Sequence, residues 1–308
     1  MNLVILIPAY NEESNIEKVI LNLPRKILGI DKTQVLVIND GSTDRTVEFA
    51  LNGGADKVVS HKTNMGVGAA FMTGIRNAIS MQADIVLTID ADSQFDSNQI
   101  PELVVPILNS QCDVVIGSRF LKEVPKIPKI KLIGNKIFTK IVSAVLGQRF
   151  TDTQTGLRAY SKNALMSISV VNEFTYTQEV LIDLKFKGFK IIEVPVRVTF
   201  DNKRKSRVVK NVFNYSYRAL AVIIRSIIYH RPILAFGLFG LFLCIVGIGA
   251  KLLTIYNILS VSRGLSTGLI ILGAVSFMLG LFANVVFKRQ AFTEKDIRHY
   301  MRESSLKD

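Results

Sequence analysis

The run IVLTIDADSQFD, residues 85 to 96, decides the reading of the chain. Its first part, Ile85 to Ile89, is apolar and β-branched; its second part carries Asp90, Asp92 and Asp96 among small polar residues. An apolar run of that length reads as a strand covered on both faces, as in parallel sheets. The acids therefore stand where strand gives way to loop. Residues two apart in extended chain project to the same side, so Asp90 and Asp92 can share one hard cation through oxygen, and Gln94 continues the row. A cation held there would neutralise a diphosphate.

Around this run the pattern repeats. Between Met1 and Gly117 the short β-rich runs LVILI, VLVIN, KVVS, IVLTI and DVVIG alternate with helical stretches at Glu12 to Lys26, Thr43 to Leu51 and Gly66 to Met81. The spacing suits βαβ units, and right-handed crossovers build from them a twisted α/β structure, a mostly parallel sheet with helices on both faces. Ligands of such sheets bind where the loops gather, at the carboxyl ends of the strands. Tyr10, Asp40, Asp90 and Arg119 each follow a predicted strand, so they converge on one crevice. Prolines between Leu121 and Pro128 interrupt regular structure, a helix is predicted from Ile130 to Leu146 with Lys131 and Asn135 near its start, and an apolar strand from Ile191 to Val198 returns to the sheet.

The remainder has a different composition. Of 308 residues 49% are hydrophobic and 20% charged, and a mean hydropathy of +0.32 is too apolar for a purely soluble enzyme. The excess is local: Ile233 to Ala250 and Gly268 to Phe287 carry no charge, each near the roughly 20 residues that cross about 30 Å of hydrocarbon. A two-helix transmembrane hairpin is predicted, preceded by an interfacial helix over Phe213 to Tyr229, where aromatics, aliphatics and arginines mix. Lys210, Arg218, Arg225 and Arg231 precede the first span and Lys288, Arg289, Lys295 and Arg298 follow the second, while the connection offers only Lys251 and Arg263. That asymmetry puts both termini and the N-terminal domain in the cytoplasm, and the apolar run Leu3 to Ile7 is too short for a signal sequence. The expected parts are a catalytic domain at 1–207, a juxtamembrane helix at 208–231, two transmembrane helices at 232–288 and a tail at 289–308.

The net charge of +13 raises nucleic acid as a partner. Its distribution argues otherwise: many cations border the apolar helices, and the densest run, Lys203 to Lys210, lacks interleaved aromatics. Anionic lipid or phosphate is the better partner. Cys112 and Cys244 are badly placed to pair and the three histidines are scattered, so neither a disulfide framework nor a zinc site is indicated. Neither span holds the internal ionisable residue of an ion pathway, which argues against a channel.

Five segments carry the chemistry: IPAYNEE (Ile7 to Glu13), INDGSTD (Ile38 to Asp44), NMGVGAAFMTG (Asn64 to Gly74), DADSQFD (Asp90 to Asp96) and GSRF (Gly117 to Phe120). Together they resemble the family 2 glycosyltransferases. DTQTGLRAYSK (Asp152 to Lys162) and the segment from Glu179 to EVPV (Glu193 to Val196) follow in order, which makes the chain similar to polyprenyl-phosphate glycosyltransferases of the dolichol-phosphate mannose synthase kind. The resemblance covers roughly Met1 to Arg207. It implies a GT-A fold, a nucleotide pocket formed by Pro8, Ala9, Tyr10, Glu12, Asp40 and Asp90, and Mg or Mn on Asp90, Asp92 and Gln94. Asp92 and Arg119 are then the expected catalytic residues, with Arg119 assisting phosphate or acceptor binding.

Other chemistry fits less well. Gly66-Val67-Gly68 lacks the third small residue of a dinucleotide fingerprint and follows the third predicted strand instead of the first. These glycines permit close backbone approach, either to a nucleotide or to another chain segment. Related enzymes carry an Arg-x-x-Gly-x-Ser-Lys loop where this chain reads Asp201-Asn202-Lys203-Arg204-Lys205-Ser206-Arg207, without the first Arg and the Gly. Lys131, Arg204, Lys205 and Arg207 remain candidates for the acceptor phosphate.

The resulting expectation is an inverting, metal-dependent enzyme that moves a sugar from UDP or GDP to a dolichyl or undecaprenyl phosphate in the membrane; a homo-oligomer is left open. The alternatives are a membrane-anchored relative acting on a glycan, protein or glycerolipid, and an inactive regulator that binds nucleotide sugar. Processive polysaccharide synthases need a Gln-x-x-Arg-Trp motif, and this chain has no Trp.

Overall fold

Strands β1 (Asn2–Ala9) and β2 (Lys32–Asn39) pair in parallel from Asn2↔Lys32 to Ala9↔Asn39, so both end at one edge. Strands β3 (Lys57–Ser60) and β4 (Ile85–Thr88) join them in parallel. Beyond these lie β5 (Val114–Ser118), β6 (Arg158–Ser161) and β7 (Ile191–Pro195), giving seven strands in the order β3-β2-β1-β4-β6-β5-β7. β6 runs antiparallel to both β4 and β5. The sheet is therefore mixed, and this short strand is the element the sequence pattern does not announce: it alternates Arg158 and Tyr160 on one face with Ala159 on the other, without an apolar run.

The computed structural model describes residues 1–122, 129–168, 176–199, 212–256 and 262–304. The chain divides into two units, Met1–Ile223 and Ile224–Asp308. The first holds the sheet with helices α1 (Ile16–Leu21), α2 (Thr46–Asn52), α3 (Val67–Ser80), α4 (Ile100–Leu108), α5 (Lys129–Leu146), α6 (Lys162–Leu165) and α7 (Thr177–Phe186); α8 (Val212–His230) follows. Period-two alternation sorts the strand residues between two faces. Leu3, Ile5, Ile7, Val35, Val37, Ile85, Leu87 and Val115 pack with Ile16, Val19, Ile20, Leu103, Val104 and Ile107 of α1 and α4. On the other face α3 lies directly over β1, because a Cβ on Gly74 would come within 2.4 Å of the Leu6 side chain. Phe71 of α3 then stacks on Tyr176 at 3.9 Å between ring centroids and tilts against Tyr160 at 6.1 Å. Truncating Phe71 to Ala would cost about 3–5 kcal/mol.

The second unit is dominated by α9 (Pro232–Ile255) and α10 (Arg263–Ser304). Small residues set their separation: a Cβ on Gly240 would meet the Gly273 carbonyl oxygen at 2.5 Å, and one on Gly247 the Ser266 oxygen at 2.8 Å. Ser276 Oγ donates to the Phe236 carbonyl at 2.9 Å. Close backbone approach with such hydrogen bonds is how apolar helices pair without a hydrophobic driving force. Pro232–Ile255 and Gly264–Phe287 are each long and apolar enough to cross a membrane, and only 11% and 17% of their most apolar stretches is buried. A soluble core helix would be covered; here Leu238, Phe239, Leu241, Phe242, Phe282 and Val285 are exposed, which suits lipid surroundings.

Candidate active site

Because β1, β2, β4 and β5 run parallel, the loops after Ala9, Asn39, Thr88 and Ser118 gather at one edge of the sheet. Tyr10, Asp40, Asp90 and Arg119 sit there, as the strand pattern predicts. The loops after β1 and β2 brace one another: Asn11 N–H donates to Ser42 Oγ at 2.9 Å, Thr43 N–H to Asn11 Oδ1 at 2.8 Å, and Glu12 N–H to Thr46 Oγ1 at 2.8 Å. Pro8 and Ala9 close β1, Tyr10 beyond them is 38% exposed, and Glu12 is buried.

Asp40 is buried and occupied by protein. Its Oδ1 accepts from Met65 N–H at 2.9 Å and lies 2.7 Å from His61 Nδ1, and its Oδ2 accepts from Gly66 N–H at 2.9 Å. His61 Nε2 in turn lies 2.9 Å from Thr73 Oγ1 on α3. One carboxylate thus joins the ends of β2 and β3 to the start of α3. Gly41 makes this possible: its φ is +72°, and a Cβ there would come 2.4 Å from the Thr63 carbonyl carbon. Of the two readings of the glycine segment, approach to another chain segment is what Gly66 does through Asp40.

Asp90 stands in another environment. Among the described residues no hydrogen-bond donor reaches its carboxylate, which rests on Gly156: a Cβ on that glycine would lie 2.6 Å from Asp90 Oδ1. Burial, and then the neighbouring Asp92 carboxylate, push the Asp90 carboxyl up to about 7; Arg119 pulls the other way, and Glu12 adds to the rise. These influences place groups from the loops after β1, β4 and β5 around one carboxylate. Asp92 Oδ1 accepts from Gln94 N–H at 3.2 Å across Ser93, whose φ of +59° folds the loop back. Gln94 is tied in turn, its carbonyl accepting from Thr199 N–H at 2.8 Å. The donor set is oxygen only, and among the described residues no three His, Cys, Asp or Glu side chains gather as a metal cage. Two carboxylates and a carboxamide fit a hard dication that takes its other ligands from phosphate and water.

Arg119 is held by Asp152. Nε donates to Oδ2 at 2.6 Å, Nη2 to Oδ1 at 3.0 Å, and the Arg119 N–H to Oδ2 at 3.3 Å. Asn135 Nδ2 of α5 and the Gln154 N–H each reach Oδ1 at 3.2 Å. Burial alone would raise the Asp152 carboxyl, but the Arg119 charge and these hydrogen bonds outweigh it and hold the group below the usual carboxylate range. Glu193 of β7 supports the same loop, accepting from Thr151 N–H at 2.9 Å and Asp152 N–H at 2.8 Å. Arg158, fully buried on β6, donates to the carbonyls of Thr153, Thr155 and Thr177 at 2.8, 3.1 and 2.6 Å. Thr88 Oγ1 donates to the Gly156 carbonyl at 2.6 Å.

In the sequence Asp152, Gly156, Arg158 and Glu193 are visible only as members of motifs and Asn135 only by its place near the start of a helix; no local pattern signals the contacts they make here. Lys131 lies in the first turn of α5; Arg204, Lys205 and Arg207 fall outside the described residues.

Residues 4–169 match the model of the family described as "Glycosyl transferase family 2". The chain belongs to that family. It is 32% identical over 224 residues to the UDP-N-acetylglucosamine–dolichyl-phosphate N-acetylglucosaminyltransferase of Methanococcus voltae, covering 66% of this chain and 88% of that one. It is 30% identical over 195 residues to the dolichyl-phosphate hexose transferase of Haloferax volcanii, covering 63% and 82%. Among solved structures, glucosyl-3-phosphoglycerate synthase of Mycobacterium tuberculosis in complex with Mn2+, UDP and phosphoglyceric acid superposes with a TM-score of 0.57 at 22% identity, over 73% of this chain and 78% of that one. That likeness is one of fold, and it is the GT-A fold expected of a family 2 glycosyltransferase.

Proposed function

We propose that this glycosyltransferase moves a sugar from a UDP- or GDP-sugar to a membrane polyprenyl phosphate, with inversion at the sugar and with Mg or Mn. One observation carries the reading: Asp90 and Asp92 form an acidic pair at the carboxyl edge of the sheet, and among the described residues the Asp90 carboxylate has none of the hydrogen-bond donors that occupy Asp40 and Asp152 beside it. When bound, Mg or Mn supplies positive charge that stabilises the departing nucleoside diphosphate. Asp90, Asp92 and Gln94 would hold it. Tyr10 offers an aromatic face to the base, Glu12 acceptors for ribose hydroxyls, and Pro8, Ala9 and the Asp40-braced loop the walls of the nucleotide pocket. Arg119 presents donors to phosphate oxygen.

The acceptor needs little activation. A phosphate monoester has a second pKa of about 6, so at neutral pH its oxygen is mostly ionised and attacks the anomeric carbon without a dedicated base. What the chain must do is bring two anions together. On α5 the exposed Ile133 and Ile137 lie one turn apart beside the exposed Lys136 and Lys140, a surface that suits lipid chains and phosphate together. Lys131, Arg204, Lys205 and Arg207 are the proposed contacts of the acceptor phosphate. The names of the Methanococcus and Haloferax relatives state a dolichyl-phosphate acceptor for those enzymes, which supports a polyprenyl phosphate here. The helices α9 and α10 would anchor the chain with both termini on the cytoplasmic side.

The test is to incubate membranes bearing the full chain with polyprenyl phosphate and a panel of labelled UDP- and GDP-sugars. The expected product is a labelled lipid that mild acid cleaves. Label recovered in glycan, protein or diacylglycerol would replace this acceptor with another.

A further inference from the structure

A guanidinium that must meet phosphate is most useful if its direction is fixed beforehand, because a free side chain loses rotamer freedom on binding. Arg119 is fixed in this way. Two of its nitrogens form a fork on Asp152 at 2.6 and 3.0 Å, its own N–H adds a third bond to the same carboxylate, and its guanidinium carbon lies 5.5 Å from the centre of the Phe120 ring. The support continues behind the fork. Ser118 and Thr151, the residues immediately before each partner, bring their hydroxyls to 2.5 Å, and Glu193 takes both Thr151 N–H and Asp152 N–H. Asn135 closes the remaining side of Oδ1 from α5.

Asp152 itself is wholly enclosed, while the Arg119 side chain is 19% exposed. A group that takes a proton during transfer must come within about 2.6–3.2 Å of it or reach it through one water. An enclosed carboxylate that already accepts from Arg119, Asn135 and the Gln154 N–H is placed for neither. We infer that Asp152 is a positioning residue, which with Glu193 behind it sets the plane and direction of the Arg119 guanidinium and takes no proton in the reaction. The inference rests on the transfer proposed above and deepens it: the cationic arm of the site is a built unit of β5, the loop before β6, and β7.

The experiment compares wild type, D152N, R119A and the double variant R119A/D152N as full chains in detergent. Undecaprenyl phosphate is the acceptor, with the nucleotide sugar that the donor panel selects, and kcat, KM and the pH profile are measured. D152N should lower kcat by about 100-fold, the effect of a misplaced group, with little change in donor KM. The shape of the pH profile should persist, and R119A/D152N should be no slower than R119A, because Asp152 acts only through Arg119. Loss of a limb of the pH profile in D152N, multiplying effects in the double variant, or wild-type kcat in D152N would each overturn the inference. E193Q covers the case in which D152N does not fold: it should lower kcat in the same direction by about tenfold, and lose that effect in the R119A background. An E193Q effect that persists in R119A would count against the inference. Wild type that transfers nothing to undecaprenyl phosphate or to dolichyl phosphate overturns the proposed function itself; independent effects in an active wild type overturn only this inference.

Discussion

Asp90 and Asp152 stand at the same edge of one sheet, both under the influence of Arg119, and they have opposite chemistry. Asp152 is enclosed by donors and held ionised. Asp90 has no such donor among the described residues, faces Asp92 and Glu12, and is pushed up to about 7. The difference shows that environment, more than residue type, sets the state of each carboxylate: Asp152 is spent on holding Arg119, and the role proposed for Asp90 is to keep its charge capacity for a ligand.

Four experiments probe that contrast. The largest effect should come from Asp92→Ala, which removes half of the acidic pair without touching the Asp152 knot; transfer should fall by about 100- to 1000-fold while the circular dichroism of the fold is kept. Wild-type rates in this variant would break the comparison. Gly156→Ala comes next, since its new Cβ would press on Asp90 at 2.6 Å. A displacement of that kind should cost about 10- to 100-fold in kcat/KM, read in the same assay, and weaken the metal-dependent binding of nucleoside diphosphate.

The third experiment uses pH. A dication must displace the proton from Asp90, so Mn2+ affinity measured by calorimetry should fall by about tenfold per unit as pH drops below the Asp90 value, and level off above it. Affinity that stays flat between pH 5 and 8 would remove Asp90 from the ligand set, and Asp90→Asn should abolish the slope. The smallest effect is on stability. Because the folded carboxyl titrates near 7 instead of its ordinary 3.8, the unfolded chain releases that proton first, and the metal-free fold loses stability as pH rises between those values. Asp90→Asn should therefore raise the thermal midpoint at pH 7.5 by about 2–4 °C. At pH 3.5 the gain should vanish; a lowered midpoint at pH 7.5 would mean that Asp90 stabilises the fold.

Much of this was legible in the residues. Strands β1, β2 and β4 are apolar runs that end on acids or on Tyr10, and a parallel sheet then brings those ends together. The apolar hairpin is equally plain, since its charge-free stretches are long. What escaped was the support. Arg119 and Asp152 meet across 33 residues, and Asp152 and Glu193 across 41, contacts that arise only once β6 is inserted antiparallel between β4 and β5. β6 carries a buried arginine and a tyrosine on four residues, so neither periodicity nor length marks it. Asp40 shows the converse: its position was readable, but its carboxylate is taken up by Met65, Gly66 and His61, which no local pattern reveals.

The account turns on whether the acidic pair after β4 works through a dication. The direct measurement is sugar transfer to polyprenyl phosphate by the purified full chain in excess chelator, followed by return of Mg or Mn. Transfer that stops and is restored by either ion is the predicted result, and full turnover in chelator would contradict it.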